Sequence, residues 1–436
     1  EGNNIITVCA TDLLRSNNQP GGKQSTGFYS KGCNYTRTTG IWQTVWLENV
    51  ADSYIASFRC TPNIENSTLY IDALCMNAHG QTVTATAYYK GHEAGSSQGT
   101  VSGKHAILEI SLYELHLWDN ADPDLYDLVL ELKDDKVHSY FGMRSIAYHD
   151  KKFLLNGKPV FQRLILDQGF YPDGIYTASD DSELIADIQR SLDMGFNGAR
   201  LHQKVFEPRF LYHCDVMGYL VWEEHANWGL DISKPEAWKG FLPEWLEILE
   251  RDYNHPAIIG WCPFNETQKD QDPYIIKMTA DMTRALDSTR PVIDTSGWTH
   301  VPGASDIRDK HDYDQNPGTF RERYDAMHDA RENFDGYVDD ECCPVFVSEY
   351  GGIWWSETDK EGWGYGERPK SMDEFIARYK GLTEVLLNDP RMCAFCYTQL
   401  TDVEQEQNGL YTYDRQPKLD PSIIRAINAK KAAVEE

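Results

Sequence analysis

Alternation of apolar and polar positions dominates the first third of the chain. Residues 54–60, 68–76, 82–89 and 106–112 carry apolar side chains at every second position, with turn signals such as Asn77-Ala78-His79-Gly80 between them. Runs at 125–133 and 137–148 bring the total to six or seven strands in roughly 100 residues, the size and rhythm of an immunoglobulin-like β-sandwich. After about residue 150 the period changes to strand, helix, strand, helix. Ser179 is the expected N-cap of a helix whose first turn holds Asp180, Asp181 and Glu183; Leu184, Ile188 and Leu192 share one face, and Gly195 ends it. Strand-like 196–202, a helix over about 207–217 and the apolar run 219–222 follow. A third helix carries Trp238, Phe241, Leu242, Trp245 and Leu249 and stops before Pro256. Strand 257–264, helix 273–288, strand 291–295, a loop-rich region, strand 344–348, helix 371–388 and strand 393–398 complete the pattern. Such alternation fits a (β/α)8 barrel or a doubly wound sheet. The barrel is favoured because polar and aromatic residues accumulate just after the strands, where barrel active sites sit. Residues 1–48 read as short strands and turns, with 4–10 a strand already under way, so the polypeptide is expected to begin earlier.

Composition narrows the class. The chain has 436 residues, enough for two or three domains, and a formal net charge of −27 without a basic cluster. A surface this acidic repels phosphate backbones and anionic lipid. Mean hydropathy is −0.55, and no apolar run approaches the ~20 residues needed to span a bilayer. The ten cysteines are scattered, with Cys342 and Cys343 adjacent; Cys393 and Cys396 form a CxxC inside an apolar strand, whose period of two sends them to opposite faces. Buried free thiols in a reducing cytosol are expected, hence a cytoplasmic protein. The Asn34 sequon adds nothing without evidence of secretion.

Four strand ends carry candidate chemistry. Asn265 and Glu266 follow one apolar strand, Glu349 follows another with Gly351 and Gly352 behind it, Glu223 and Glu224 end a third, and Arg200, His202 and Gln203 end a fourth. Ionisable residues at the C-terminal ends of barrel strands project into the shared mouth. Paired carboxylates in a cavity rich in aromatic rings point to glycoside hydrolysis, in which one carboxyl hands a proton to the leaving oxygen and the other is ionised as nucleophile or base. Trp228, Trp298, Trp354, Trp355, Trp363 and Tyr397 lie in or just after expected loops, and their faces suit the C–H surfaces of sugars.

The stretches 154–174, 194–224, 254–266 (NHPAIIGWCPFNE) and 346–352 (FVSEYGG) resemble glycoside hydrolase family 2, and 36–48 (TRTTGIWQTVWLE) resembles the strand that closes that family's N-terminal jelly roll. The resemblance implies a jelly-roll remnant over 1–48, an immunoglobulin-like domain over 49–149 and a catalytic barrel over 150–436. It further implies a retaining double displacement with Glu266 as general acid/base and Glu349 as nucleophile, their carboxyls roughly 5–5.5 Å apart. Asn265 then binds the sugar 2-OH, Arg200 supports the nucleophile's charge, and Tyr313 stands near it. Asp167, Gln168, His202, Glu224, Trp354 and Tyr397 complete the expected substrate-binding set, with no metal or cofactor.

Departures from the family bear on substrate. His202-Gln203-Lys204-Val205 and Asp167-Gln168-Gly169-Phe170 stand where well-known β-galactosidases have Ser-His-Tyr-Pro and a His-rich loop, so their galactose pocket and magnesium site are not carried over, although Glu224 matches one of that site's carboxylates. Where glucuronidases have an Asn-x-Lys clamp before a glycine, this chain reads Glu406-Gln407-Asn408 before Gly409. A neutral terminal sugar is therefore expected, galactose first. Three alternatives stay open: a β-glucuronidase or β-mannosidase specificity on the same fold, a carbohydrate-binding protein that has lost catalysis, and a metal-dependent hydrolase built on His311, Asp312 and Glu224. No phosphate-cradling glycine loop or serine nucleophile elbow is present.

Overall fold

The computed structural model describes residues 5–13, 15–327, 344–357 and 361–435. Strict alternation builds the first domain: in Tyr126–Leu132 the inward residues Tyr126, Leu128, Leu130 and Leu132 are fully buried. Seven antiparallel strands form a three-stranded sheet (Tyr54–Asn63, Thr68–Met76, His105–Ser111) and a four-stranded sheet (His92–Thr100, Thr82–Tyr89, Tyr126–Leu132, Asp135–Phe141) over one apolar core. Arg144, almost fully buried, ties this sandwich to the next domain by donating to the carbonyls of Pro256 (2.6 Å) and Ile258 (3.0 Å).

The second domain is a parallel barrel. Its strands are β1 (Gln162–Asp167), β2 (Gly198–Leu201), β3 (Leu220–Glu224), β4 (Ile258–Cys262), β5 (Thr295–Ser296), β6 (Arg308–Asp312), β7 (Val345–Gly351) and β8 (Met392–Thr398). Seven of them form one sheet in the order β4-β3-β2-β1-β8-β7-β6, and β5 pairs in parallel with the short extension Phe264–Asn265 of β4. The strands are buried on both faces, as a sheet enclosed by helices requires. Helices α1 (Asp181–Asp193), α2 (Pro208–Met217), α3 (Pro235–Asp252), α4 (Pro273–Leu286), α5 (Pro317–Ala326), α6 (Met372–Leu387) and α7 (Pro421–Asn428) follow every strand except β5. Five of them open on proline, whose fixed φ and missing N–H suit the first helical position. No helix among the described residues is long and apolar enough to cross a membrane.

Three expectations are corrected. Asp180, not Ser179, caps α1, accepting from the backbone N–H groups of Ser182 and Glu183; the Ser179 N–H instead donates to Glu183. The strand expected at 291–295 shortens to a single parallel bridge of Val292 with Trp261 of β4 and to the two residues Thr295–Ser296; the Val292 N–H, on the side away from β4, donates to Asp306. Residues 5–50 contain no strand among those described. Ile5, Ile6 and Val8 are exposed, as are Val45, Trp46 and Leu47, since an extended segment without sheet neighbours has nothing to pair its backbone or cover its apolar face. Residues 15–43 cross the mouth of the barrel instead, held by isolated bridges and by Tyr35, which packs with Phe170, Tyr176 and Val403. Cys393 and Cys396 are buried free thiols; Cys342 and Cys343 lie outside the described residues.

Candidate active site

Parity along each strand decides which strand-end residues enter the mouth. On β3 Glu224 points inward to Arg200, while Glu223 turns to Arg251 on α3. On β7 Glu349 points inward, while Tyr350 hydrogen-bonds Thr383 of α6. Arg200, 1% exposed, is the hub: its guanidinium donates to Glu349 Oε1 (2.7 Å), to the Ser348 carbonyl (3.3 Å), to Asn265 Oδ1 (2.5 Å) and to Glu224. Gln203 adds two donations to Glu224 Oε1, each 2.9 Å, and His202 Nδ1 lies 3.0 Å from the same oxygen. Burial alone raises the Glu224 carboxyl, but Arg200 and His202 outweigh it and hold it at about 2. Burial lowers the His202 imidazole, against the pull of Glu224.

Glu349 is held ionised by the same logic: burial opposes its charge, and His311, His202, Arg200 and Lys23 overcome that. Its second oxygen accepts from the Tyr313 hydroxyl, which also meets Thr398 Oγ1 at 3.1 Å and stacks on Tyr365. His311 on β6 bridges the two glutamates: Nδ1 lies 2.8 Å from Glu266 Oε1 and 3.4 Å from Glu349 Oε2. One carboxylate oxygen of each glutamate and His311 Nδ1 lie within 4.8 Å of one another. Glu266 follows the β4 extension with φ at +44°, a left-handed conformation that aims its side chain, and its N–H donates to the Ser296 carbonyl at 2.7 Å.

A second layer fixes His311. Ser296 Oγ donates to Asp309 (2.8 Å) and lies 3.0 Å from His311 Nε2, so both imidazole nitrogens face acceptors. Burial lowers the imidazole, but Glu349 and Glu266 raise it further, keeping a proton there. Asp309 is shared with buried His300, whose Nδ1 lies 2.7 Å from Asp294 and Nε2 3.0 Å from Asp309. Burial lowers His300, and the two aspartates reverse this, pushing it up to about 10 from 6.5. The folded state thus binds this proton more tightly than the unfolded chain, and the resulting stability is full below pH 6.5 and lost on rising toward 10. Chemical denaturation is expected to give a falling unfolding free energy over that window, with a shallower slope in His300→Gln.

The other expected site residues fall elsewhere. Asp167 turns back to accept from the Gly169 N–H (2.9 Å) in a cluster with Asp187, Arg415 and Lys204, and burial followed by Asp187 raises it to about 6. Gln168 is buried with Oε1 unpaired among the described residues. Trp354 lies against Gly364 and Arg368. Tyr397 is fully buried between Tyr350 and Tyr379, facing the helical layer, which leaves no ring face for a sugar. The convergence of His311, Asp312 and Glu224 does not form: Asp312 pairs with Arg323, and Glu224 with Arg200. A cation would instead find donor atoms on Glu266, His311 and Glu349.

Residues that strand-end reasoning missed come from the N-terminal segment and the loop after β8. Lys23, Tyr35 and Glu406 gather at the mouth, with the Tyr35 hydroxyl donating to Glu406 Oε2 at 2.6 Å. The HDY run was the available signal for His311; nothing local marked Lys23. A cavity of about 390 Å³ opens beside Glu266, walled by Gly21, Thr26 and Asn34 on one side and Trp228, Trp298 and Gln271 on the other.

The fold and site together define a β-sandwich and (β/α) barrel protein with a buried arginine and two glutamates at the barrel mouth. Two models of "Glycosyl hydrolases family 2" match, the TIM barrel domain over 146–356 and a preceding domain over 53–144, and the chain belongs to that family. It is 27% identical over 252 residues to a putative β-glucuronidase of Formosa agariphila, covering 52% of this chain and 29% of that protein. It is 25% identical over 327 residues to a β-galactosidase of Thermoanaerobacterium thermosulfurigenes, covering 71% and 44%. The chain thus spans less than half the length of these relatives. The solved β-D-glucuronidase of Dictyoglomus thermophilum aligns at a TM-score of 0.71 and 19% identity over 87% of this chain and 69% of that one, a likeness of fold.

Proposed function

We propose that the chain is a retaining exo-β-glycosidase acting on terminal, neutral β-linked sugars. The observation that carries this is the approach of Glu266 and Glu349 oxygens to within 4.8 Å at the barrel mouth, in keeping with direct attack rather than with a water held between the carboxyls. Glu349, ionised by its contacts with Arg200, Tyr313 and His311, attacks the anomeric carbon while Glu266 gives its proton to the departing glycosidic oxygen. The resulting glycosyl ester is hydrolysed by a water that Glu266 deprotonates, and the anomeric carbon–Oε bond breaks to return the Glu349 carboxylate. Asn265, whose Nδ2 is buried without a partner among the described residues, suits the sugar 2-OH. The absence of a lysine from Glu406-Gln407-Asn408 supports a neutral sugar over a uronic acid. A panel of chromogenic β-galactoside, β-glucoside, β-mannoside and β-glucuronide substrates, with the product anomer followed by NMR, tests this reading. The expected result is turnover of a neutral β-glycoside, galactoside first, with release of the β-anomer; an α-anomer or an inert panel overturns it.

A further inference from the structure

We propose that Lys23 and Glu406 form an opposite-charge clamp that binds neighbouring hydroxyls of the terminal sugar and so makes the N-terminal segment part of the specificity pocket. The clamp rests on the reading of this site as one for neutral sugars and adds the residues that select them. Lys23 is 6% exposed, yet among the described residues its ammonium has neither a hydrogen bond nor an ion-pair partner. It lies 4.1 Å from the centroid of Trp228, a ring that walls the cavity beside Asn265 and Glu266 and meets His202 edge-on at 6.4 Å. An ammonium held on an aromatic face with no hydrogen-bond acceptor among the described residues keeps its donors for the oxygens of a ligand.

The segment is seated with the closeness such a role needs. The Gly21 N–H donates to the Trp228 carbonyl (2.7 Å) and Gly22 to that of Ala226 (3.2 Å). Gly22 has φ +55° and approaches the Gln203 carbonyl so nearly that a Cβ would stand 2.3 Å from it. The Tyr35 N–H then donates to the Lys23 carbonyl (2.7 Å), and the Tyr35 hydroxyl reaches Glu406. Glu406, 2% exposed, accepts from Tyr35 on Oε2 and from Asn408 Nδ2 on Oε1 (3.1 Å), which leaves a lone pair on each oxygen. Burial raises its carboxyl and the charge of Lys23 lowers it, while Tyr35 joins the two by its N–H on the Lys23 carbonyl and its hydroxyl on Glu406.

An ammonium only donates and a carboxylate only accepts; a hydroxyl does both. A diol can therefore satisfy Lys23 through one oxygen and Glu406 through one O–H, with no change in net charge. A uronate in the same place would bring a third carboxylate against Glu406 and Glu349.

The test compares wild type with Lys23→Met, which keeps the packing on Trp228, Lys23→Arg and Glu406→Gln. It uses nitrophenyl β-galactoside, β-glucoside and β-glucuronide, together with calorimetric binding of free galactose, glucose and glucuronate. Lys23→Met and Glu406→Gln are expected to lose about 10- to 100-fold in kcat/KM on neutral glycosides, mostly through KM, with matching losses of neutral-sugar affinity, and Lys23→Arg to recover part of this. Unchanged kinetics and affinity in Lys23→Met overturn the clamp. So does a wild-type preference for the glucuronide that Lys23→Met alone abolishes, or a wild type that binds none of the sugars. If no glycoside is hydrolysed but neutral-sugar affinity still falls in the variants, the hydrolase reading fails and the clamp stands.

Discussion

Glu349→Gln is expected to lower kcat on an aryl β-glycoside by about 10⁴-fold or more while the protein stays folded. The amide has the shape of the carboxylate but no charge to attack an anomeric carbon. Arg200 retains Glu224 and Asn265 as partners, so no buried cation is left without an acceptor. The measurement is steady-state hydrolysis with a melting curve of the same preparation. A 2-deoxy-2-fluoro glycosyl fluoride should in parallel add one sugar mass to wild type, recovered on the peptide carrying Glu349, and none to the variant. Full turnover by Glu349→Gln would remove the double displacement altogether.

Glu266→Ala is expected to have the second-largest effect, and one that depends on the leaving group. General acid catalysis contributes about 10²- to 10⁴-fold, so hydrolysis of a disaccharide should fall by that much. A dinitrophenyl glycoside departs without a proton, and its glycosylation step should be nearly unaffected. The same variant lacks the base for the second step, so added azide should accelerate turnover and yield a β-glycosyl azide. A uniform loss across leaving groups, with no azide effect, would mean that Glu266 only shapes the site. Glutamate and alanine bear the same left-handed backbone cost of about 1–2 kcal/mol at this position, so a melting curve of the variant is expected to stay close to wild type.

The legible part of this site was the part that follows from strand ends. An apolar run ending in Asn-Glu or Ser-Glu predicts a carboxylate at a barrel mouth, and Glu266, Glu349, Asn265 and Arg200 do meet there. Side-chain parity was less legible, because a strand buried on both faces shows no alternation to read. Tyr397 and Glu223 each sit one residue away from an inward position, and both face helices. Asp167 ends β1 as Glu224 ends β3, but the Gly169 N–H and the charges of Lys204 and Arg415 draw it into a separate cluster.

The sequence by itself determined the sandwich, the barrel and the glutamate pair, since period, turn chemistry and the register of parallel strands are local rules that hold wherever they are written. Only the tertiary structure decided what surrounds the pair. Tyr35 and Glu406 are 371 positions apart, Lys23 arrives on a segment without regular structure, and His311 gains its role from Ser296 and Asp309 behind it. Such contacts are fixed by how loops close over the ends of a barrel, where neither periodicity nor spacing along the chain records which side chains will meet.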